Sequence, residues 1–233
     1  MRAWIAGDLK TLDAAFAPYF DAETTAVISI DLHRGHLEDS PDCPCPAPRA
    51  RDVVEPVNAF HRAARARGVP VIHVRSVLRK GGVDDVNGLK AAWRLVFPLH
   101  VGDIGNADEH AIEGTRWNEF VTEVDEHDLV VQTKKRLSAF YPTDLDFLLR
   151  NLGTRAVVLD GCLTDCCVLN SAFDASNLGY HVTVARDLTR GTTAALETAA
   201  LEIVANHVGL VTDAAEIVAA WRAAEVPAAA RAG

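Results

Sequence analysis

The chain has 233 residues, of which 49% are hydrophobic, enough to bury the core of one large α/β domain or two small ones. Asp and Glu number 32 against 23 Lys and Arg, and a formal net charge of −9 does not favour binding to the phosphate backbone of a nucleic acid. No run of about 18 apolar residues occurs, so we expect no membrane span.

The N-terminal residues and the cysteine content favour a cytoplasmic protein. Asp8 and Lys10 interrupt the first apolar stretch, so we expect no secretory signal. The five cysteines are an odd number in a chain too long to need disulfides, which favours free thiols in a reducing compartment. Cys43 and Cys45 lie in "SPDCPCPAP", where a lone C-x-C is a weak zinc signal.

Short runs rich in β-branched residues alternate with helical patterns along the chain. The predicted strands are 25–31, 69–76, 128–133, 155–161, 180–187 and a short one from Leu210. The predicted helices are 51–68, 142–153, 164–179, 192–209 and a last one that ends near residue 224. The segment 76–124 is long and irregular, and the tail 224–233 is expected to fray.

This alternation, with nearly continuous apolar strands, predicts a three-layer α/β/α fold. Its centre is a mostly parallel, doubly wound sheet of about six strands. No internal repeat or linker is evident, so we expect one domain over 1–233 with a core of about 24–212.

Ligands of such sheets bind at the carboxyl ends of the strands. Asp31 ends the first predicted strand, Lys134 follows the strand 128–133, and the segment 162–167 follows the strand 155–160. An acid, a base and thiols therefore converge on one edge. Asp187 also ends a strand, and we interpret it as a structural or capping residue.

The segment "GCLTDCCVLN" supplies the thiols Cys162, Cys166 and Cys167. With Thr164 as N-cap, Cys166 and Cys167 lie in the first turn of a helix, where the exposed N–H groups and the dipole favour a thiolate. Adjacent helical residues point about 100° apart, and periodicity alone does not choose between these two.

The chain resembles the isochorismatase-like cysteine hydrolases, the superfamily of nicotinamidases and N-carbamoylsarcosine amidohydrolase. The resemblance covers about 24–212 and is strongest in "AVISIDLHRGHL", "QTKKRLSAFYPTDLDFLL" and "RAVVLDGCLTDCCVLNSAFDASNLGYHVTVARD". The family pattern at the thiol matches Gly161, Thr164, Cys167 and Val168, which implies that Cys167 is the nucleophile. The family's lysine falls on Lys134 rather than Lys135, and its aspartate on Asp31.

The resemblance also implies roles for these residues. Asp31 would act as general base and then acid, and Lys134 would hold the thiolate and carboxylate in place. Cys167 would form a thioester-type intermediate that water hydrolyses. A cis peptide bond is implied between Cys162 and Leu163, with the N–H groups of Leu163 and Cys167 as the oxyanion hole.

Nicotinamidases of this superfamily bind a metal through Asp-x-His after the second strand, and "VIHVRSVLRKGG" lacks that motif. Asp31, His33 and His36 could hold Zn²⁺ instead. Because Asp31 already serves as the base, we expect no metal and no cofactor, and we assign His33 and His36 to substrate binding.

The remaining substrate-binding candidates are weaker. Trp117 and Phe140 are candidate apolar walls, and Arg34 or Arg190 is a candidate partner for a substrate carboxylate. An exposed arginine or a core aromatic is the commoner situation for all four.

The leading hypothesis is an amidohydrolase that cleaves a C–N bond of a small amide, carbamoyl or ureide substrate through Cys167. The alternatives are a metal-assisted nicotinamidase-like amidase, a vinyl ether hydrolase of the isochorismatase type and a non-enzymatic thiol sensor. Isochorismatases proper lack the cysteine, so the presence of Cys167 does not favour a vinyl ether hydrolase. The resemblance implies a homo-oligomer, either dimer or tetramer.

Overall fold

The computed structural model describes residues 1–90 and 92–224, and almost all of the predicted frayed tail lies outside these residues. The strands are β1 Arg2–Ile5, β2 Asp8–Thr11, β3 Thr25–Ile30, β4 Val71–Ser76, β5 Leu129–Lys134, β6 Ala156–Cys162, β7 His181–Arg190 and β8 Leu210–Thr212. The α-helices are α1 Arg34–Leu37, α2 Val54–Arg65, α3 Ala92–Val101, α4 Leu145–Asn151, α5 Leu169–Asn177, α6 Ala194–His207 and α7 Ala214–Ala224.

The predicted six-stranded parallel sheet is confirmed. Its order is β5-β4-β3-β6-β7-β8, and every neighbouring pair is parallel. The chain winds outward from β3 through β4 to β5, and then returns to β6 and winds the other way. The winding reverses between β3 and β6, and a crevice at such a point binds ligands in open α/β sheets.

Alternating residues of the strands divide the core into two layers. Ile28 and Leu159 face one cluster, to which α4, α5 and α6 contribute. Val27 and Val158 face the other, which contains apolar residues of α2 and α7. Both faces of the sheet are therefore covered, as the continuous apolar strands predicted.

Gly161 allows β6 to approach β3 closely at the winding reversal. Its φ is +109°, and a Cβ there would lie 2.1 Å from the carbonyl oxygen of Ile30. Only glycine fits such a position, because an added side chain would meet backbone atoms that have no room to move.

The short helix α1 was not predicted from the sequence, and neither were two further features. One is the N-terminal hairpin of β1 and β2, which is tied to the other end of the chain through hydrogen bonds from Thr212 Oγ1 to the Arg2 carbonyl and from Arg2 to Glu216. The other is α3, which lies inside the irregular segment 76–124. No helix among the described residues is long and apolar enough to cross a membrane.

Candidate active site

The candidate site lies at the carboxyl edge of the sheet, beside the winding reversal. Asp31 follows β3, Lys134 is the last residue of β5, and Cys167 lies in the turn after β6. The structure brings these three residues together, although they are far apart in sequence.

Both oxygens of the Asp31 carboxylate are engaged. Oδ1 accepts hydrogen bonds from the backbone N–H and the hydroxyl of Ser76, at 2.9 and 3.1 Å. Oδ2 accepts one from Lys134 Nζ at 2.5 Å. The backbone of Asp31 has a φ of 55°, a conformation uncommon outside glycine. The local chain path therefore fixes the direction of the carboxylate.

Lys134 joins the acid to the thiol. Its side chain is 1% exposed, and Nζ donates hydrogen bonds to Asp31 Oδ2, to Ser76 Oγ at 2.8 Å and to Cys167 Sγ at 3.3 Å. The neighbouring Lys135 donates instead to the carbonyl oxygen of Val77. Of the two adjacent lysines, Lys134 is the one that contacts both the Asp31 carboxylate and the Cys167 thiol.

The three cysteines of the segment 162–167 lie in different surroundings. Cys162 is buried at the end of β6, and its thiol donates to the Asp31 carbonyl at 3.3 Å. Cys167 is buried against Lys134, whereas Cys166 is half-buried, with its sulfur 4.0 Å from that of Cys167. The peptide bond between Cys162 and Leu163 is cis.

The prediction that Thr164 caps the helix is wrong. Leu163 occupies the N-cap position, and the hydroxyl of Thr164 forms a hydrogen bond with that of Thr189 instead. The segment Thr164–Val168 forms a π-helical turn, in which the Val168 N–H donates to the Leu163 carbonyl five residues back. Such wide turns often occur at functional sites.

Lys134 governs the charge of the buried pair. Burial alone would raise the pKa of Asp31, but the positive charge of Lys134, with smaller contributions from His33 and His36, lowers it to about 2. Burial alone would lower the pKa of Lys134, but Asp31 and Cys167 raise it above its usual value. Carboxylate and ammonium are therefore both charged at neutral pH.

The two adjacent thiols share a hydrogen bond. Donation to the Cys166 sulfur, and then burial, raise the pKa of Cys167 well above its usual value. The same hydrogen bond lowers the pKa of Cys166 against the effect of burial, and the charge of Lys134 lowers it further. Cys167 is therefore a thiol in the resting protein, and the nearest cation able to stabilise its thiolate is Lys134.

A small cavity of about 70 Å³ opens beside these groups. Lys134, Cys166 and Cys167 line one side, and Trp93 and Phe97 of α3 line another. The segment 76–124 thus supplies the cover of the site. A larger cavity, of about 710 Å³, lies between the N-terminal hairpin and α6, but no cysteine is among its described lining residues.

Three histidine rings lie close together beside the small cavity. The ring centroids of His33, His36 and His110 lie 4.7 to 5.7 Å apart. His36 and His110 line the cavity together with Cys45, whereas His33 is fully buried, with Nε2 3.9 Å from Asp31 Oδ1. His110, Trp93 and Phe97 were not predictable as site residues, because they lie in an irregular segment without a recognisable period.

The alternative considered from the sequence, a zinc set of Asp31, His33 and His36, does not fit a metal. Ser76 and Lys134 occupy the carboxylate oxygens, and the ammonium of Lys134 would repel a cation placed there. Among the residues that the structure describes, the one group of three metal-ligating side chains is His36, Cys45 and His110.

Five of the six predicted substrate-binding residues lie outside the lining of the small cavity, namely the buried His33 and four others. Arg34 is exposed and pairs with Glu38 and Glu119 on the surface. The other three lie in three different places: Trp117 donates to Glu109, Phe140 lies in the core against Tyr180, and Arg190 lines the larger cavity.

The family of the chain follows from a comparison with known proteins. The family model of the isochorismatase domain matches residues 25–216, which is most of the chain. The chain belongs to the isochorismatase family.

The more similar proteins include curated relatives and solved structures. The chain is 29% identical over 178 residues to a probable inactive nicotinamidase of Arabidopsis thaliana, covering 75% of this chain and 85% of that protein. It is 27% identical over 216 residues to the ureidoacrylate amidohydrolase RutB of Methylorubrum extorquens, covering 86% and 84%. The crystal structure of a cysteine hydrolase from Pseudomonas syringae pv. phaseolicola superposes with a TM-score of 0.77 at 24% identity, covering 88% and 96%.

Proposed function

We propose that the chain is an amidohydrolase that cleaves a carbon–nitrogen bond of a small amide, carbamoyl or ureide substrate, with Cys167 as the nucleophile. The observation that carries this proposal is the buried ammonium of Lys134, which contacts Asp31 and the Cys167 thiol at once, next to a cavity. The name of the ureidoacrylate amidohydrolase supports the same bond type.

In the proposed reaction, the Cys167 sulfur attacks the carbonyl carbon, and its proton passes to Asp31. The resting forms are a thiol and a carboxylate whose pKa is about 2, so free thiolate is scarce. Proton transfer therefore accompanies the attack rather than preceding it. Lys134 stabilises the negative charge on the carboxylate and the sulfur while the proton moves, and the charge passes to the carbonyl oxygen as the carbon–sulfur bond forms.

The tetrahedral intermediate collapses when the carbon–nitrogen bond breaks. Asp31 returns the proton to the leaving nitrogen, and the carbonyl carbon stays on sulfur as a thioester or thiocarbamate. Water then attacks this carbon, with Asp31 again accepting a proton, and Asp31 returns that proton to the Cys167 sulfur as the carbon–sulfur bond breaks. The backbone N–H groups of Leu163 and Cys167 are the proposed donors to the oxyanion.

The cavity favours a small substrate with an anionic group. Its lining residues include Lys135 and Arg136 in addition to Lys134, whose charge Asp31 already balances. A guanidinium binds a carboxylate through two parallel hydrogen bonds. Acid amides and ureido acids that carry a carboxylate are therefore the preferred class.

Release of ammonia from a panel of small amides, carbamoyl compounds and ureido acids tests this function. We expect at least one compound with a carboxylate to be hydrolysed by the wild-type protein and not by Cys167→Ser. Mass spectrometry of protein quenched during turnover should show an acyl or carbamoyl group on the peptide that contains Cys167. Hydrolysis that survives in Cys167→Ser would overturn the mechanism.

A further inference from the structure

His36, Cys45 and His110 place three metal-ligating side chains around one point. His36 lies in α1, Cys45 lies in the Pro-rich loop that follows, and His110 lies in the segment after α3. All three are buried, and one donor atom of each lies within 4.8 Å of the others. We infer that these residues form a binding site for a divalent metal of the zinc type, with an open position toward the cavity beside Cys167.

The three donor atoms need to move only slightly closer together to bind the ion. With metal–ligand distances of about 2.0–2.3 Å, a tetrahedral zinc ion separates its donor atoms by roughly 3.4–3.8 Å. The three donors therefore have to move inward by about 1 Å or less. His36 and Cys45 are already linked, because the His36 Nδ1 lies 2.8 Å from the Cys45 carbonyl oxygen.

That hydrogen bond prepares His36 as a ligand. A carbonyl oxygen only accepts, so Nδ1 carries the proton and the Nε2 lone pair is available. Metal-bound histidines usually donate their other N–H in this way, which fixes the tautomer and the ring orientation.

His110 gives an independent indication. Its Nδ1 is buried and has no hydrogen-bond partner among the residues that the structure describes. A buried polar atom without a partner is costly, and a bound ion removes that cost. The ring packs edge-on against Trp93, with centroids 5.0 Å apart, which holds it beside His36.

The chemistry of the three donors selects the ion. A histidine ligates through an unprotonated ring nitrogen and a cysteine as the thiolate, so the incoming ion displaces the Cys45 proton and one proton is released for each metal bound. Two imidazoles and one thiolate suit Zn²⁺ or Co²⁺ and do not suit Mg²⁺ or Ca²⁺.

Three protein ligands leave the fourth tetrahedral position to water or to a substrate atom. His36, Cys45 and His110 all line the small cavity, so this position faces the same space as Cys167. The ion would hold an oxygen or nitrogen atom of a bound molecule. The metal site does not depend on the proposed hydrolysis, since the ligands exclude Asp31, Lys134 and Cys167.

Cobalt binding provides the test, because a Co²⁺–thiolate bond gives a charge-transfer band in the near ultraviolet that imidazole ligands do not give. We expect metal-free wild-type protein, titrated with Co²⁺, to show this band with one equivalent bound. Cys45→Ser should lose the band and weaken binding roughly 100-fold, since losing even an outer-shell partner costs about 10–100-fold. Cys43→Ser is the matched control, because that thiol is buried in the same loop but lies outside the cluster.

X-ray absorption of the zinc-loaded wild-type protein provides a second readout that needs no variant. The site predicts one sulfur at about 2.3 Å and two or three nitrogen or oxygen atoms at about 2.0–2.1 Å. A folded wild-type protein that binds neither Co²⁺ nor Zn²⁺ would overturn the proposal. So would a sulfur signal that persists in Cys45→Ser and disappears in Cys166→Ala or Cys167→Ser. Neither result depends on turnover, so the metal site and the proposed function can fail separately.

Discussion

Lys134 Nζ and Asp31 Oδ2 lie 2.5 Å apart in a region closed to solvent, at the ends of two strands that are not neighbours in the sheet. The two charges stabilise the folded protein only when both are present. Removing one member leaves a buried charge without compensation, which costs about 3–5 kcal/mol, whereas removing both is often nearly neutral.

Asp31→Asn is therefore expected to lose turnover and also about 3–5 kcal/mol of unfolding free energy. The double variant Asp31→Asn/Lys134→Met should regain most of that stability and remain inactive. Denaturant unfolding followed by circular dichroism measures the unfolding free energy, and ammonia release measures turnover. A double variant less stable than Asp31→Asn would contradict the coupling.

The two adjacent lysines should differ sharply. Lys134→Ala removes the contacts with both Asp31 and Cys167, so we expect turnover to fall by a factor of roughly 1000 or more. Lys135→Ala leaves those contacts intact and removes a cation from the cavity wall, so we expect a higher KM with kcat nearly unchanged. Steady-state kinetics of both variants would reveal the opposite ranking if the assignment were one residue out of register.

The three thiols of the segment 162–167 are distinguishable by labelling. Cys167 contacts Lys134 and lines the cavity, so Cys167→Ser should be inactive, because an alkoxide is far harder to form than a thiolate. Cys166→Ala and Cys162→Ala should stay within about tenfold of wild type, through small shifts in the site. Peptide mass spectrometry after trapping with an electrophilic amide analogue places the adduct. An adduct on Cys166, with Cys167→Ser still active, would reverse the assignment.

The sequence was sufficient to predict the sheet and the meeting of Asp31, Lys134 and the thiols. Long apolar strands directly indicate that both faces of the sheet are buried. The rule that ligands bind at the carboxyl ends of the strands depends only on the topology of the sheet. The choice of Cys167 over Cys166 came from the family resemblance, because helical periodicity does not separate adjacent residues.

The walls of the cavity were not predictable in the same way. Trp93, Phe97 and His110 belong to a segment whose path depends on tertiary contacts rather than on a repeating pattern. Trp117 and Phe140 are the apolar walls that the sequence suggests, but aromatic side chains are mostly core material, and both are buried outside the cavity lining. The N-terminal hairpin was missed because its strands have only four residues each and its turn, Ala6-Gly7, lacks a strong turn signal.

Acid should weaken the fold through Asp31. Its pKa is about 2 in the folded chain and near 3.9 in an unfolded one, so the carboxylate stabilises the folded state above about pH 4. That contribution is lost as the pH falls toward 2. Relative to Asp31→Asn/Lys134→Met, the wild type should lose roughly 1 kcal/mol by pH 3 and about 2.5 kcal/mol below pH 2. Urea unfolding of both proteins from pH 6 to pH 3 checks this. A difference that stays constant over that range would show that Asp31 titrates normally.

Helix α3 should control substrate affinity through one face. Phe97 lines the small cavity, whereas Leu99 on the same helix is 84% exposed. Phe97→Ala removes apolar wall that contacts substrate and transition state alike, so KM should rise about tenfold with kcat little changed. Leu99→Ala is the matched control, since it shortens an apolar side chain on α3 without touching the cavity. Kinetics on a substrate found in the amide panel test this. Equal effects from the two variants would mean that α3 acts through its own stability and that Phe97 has no direct part in binding.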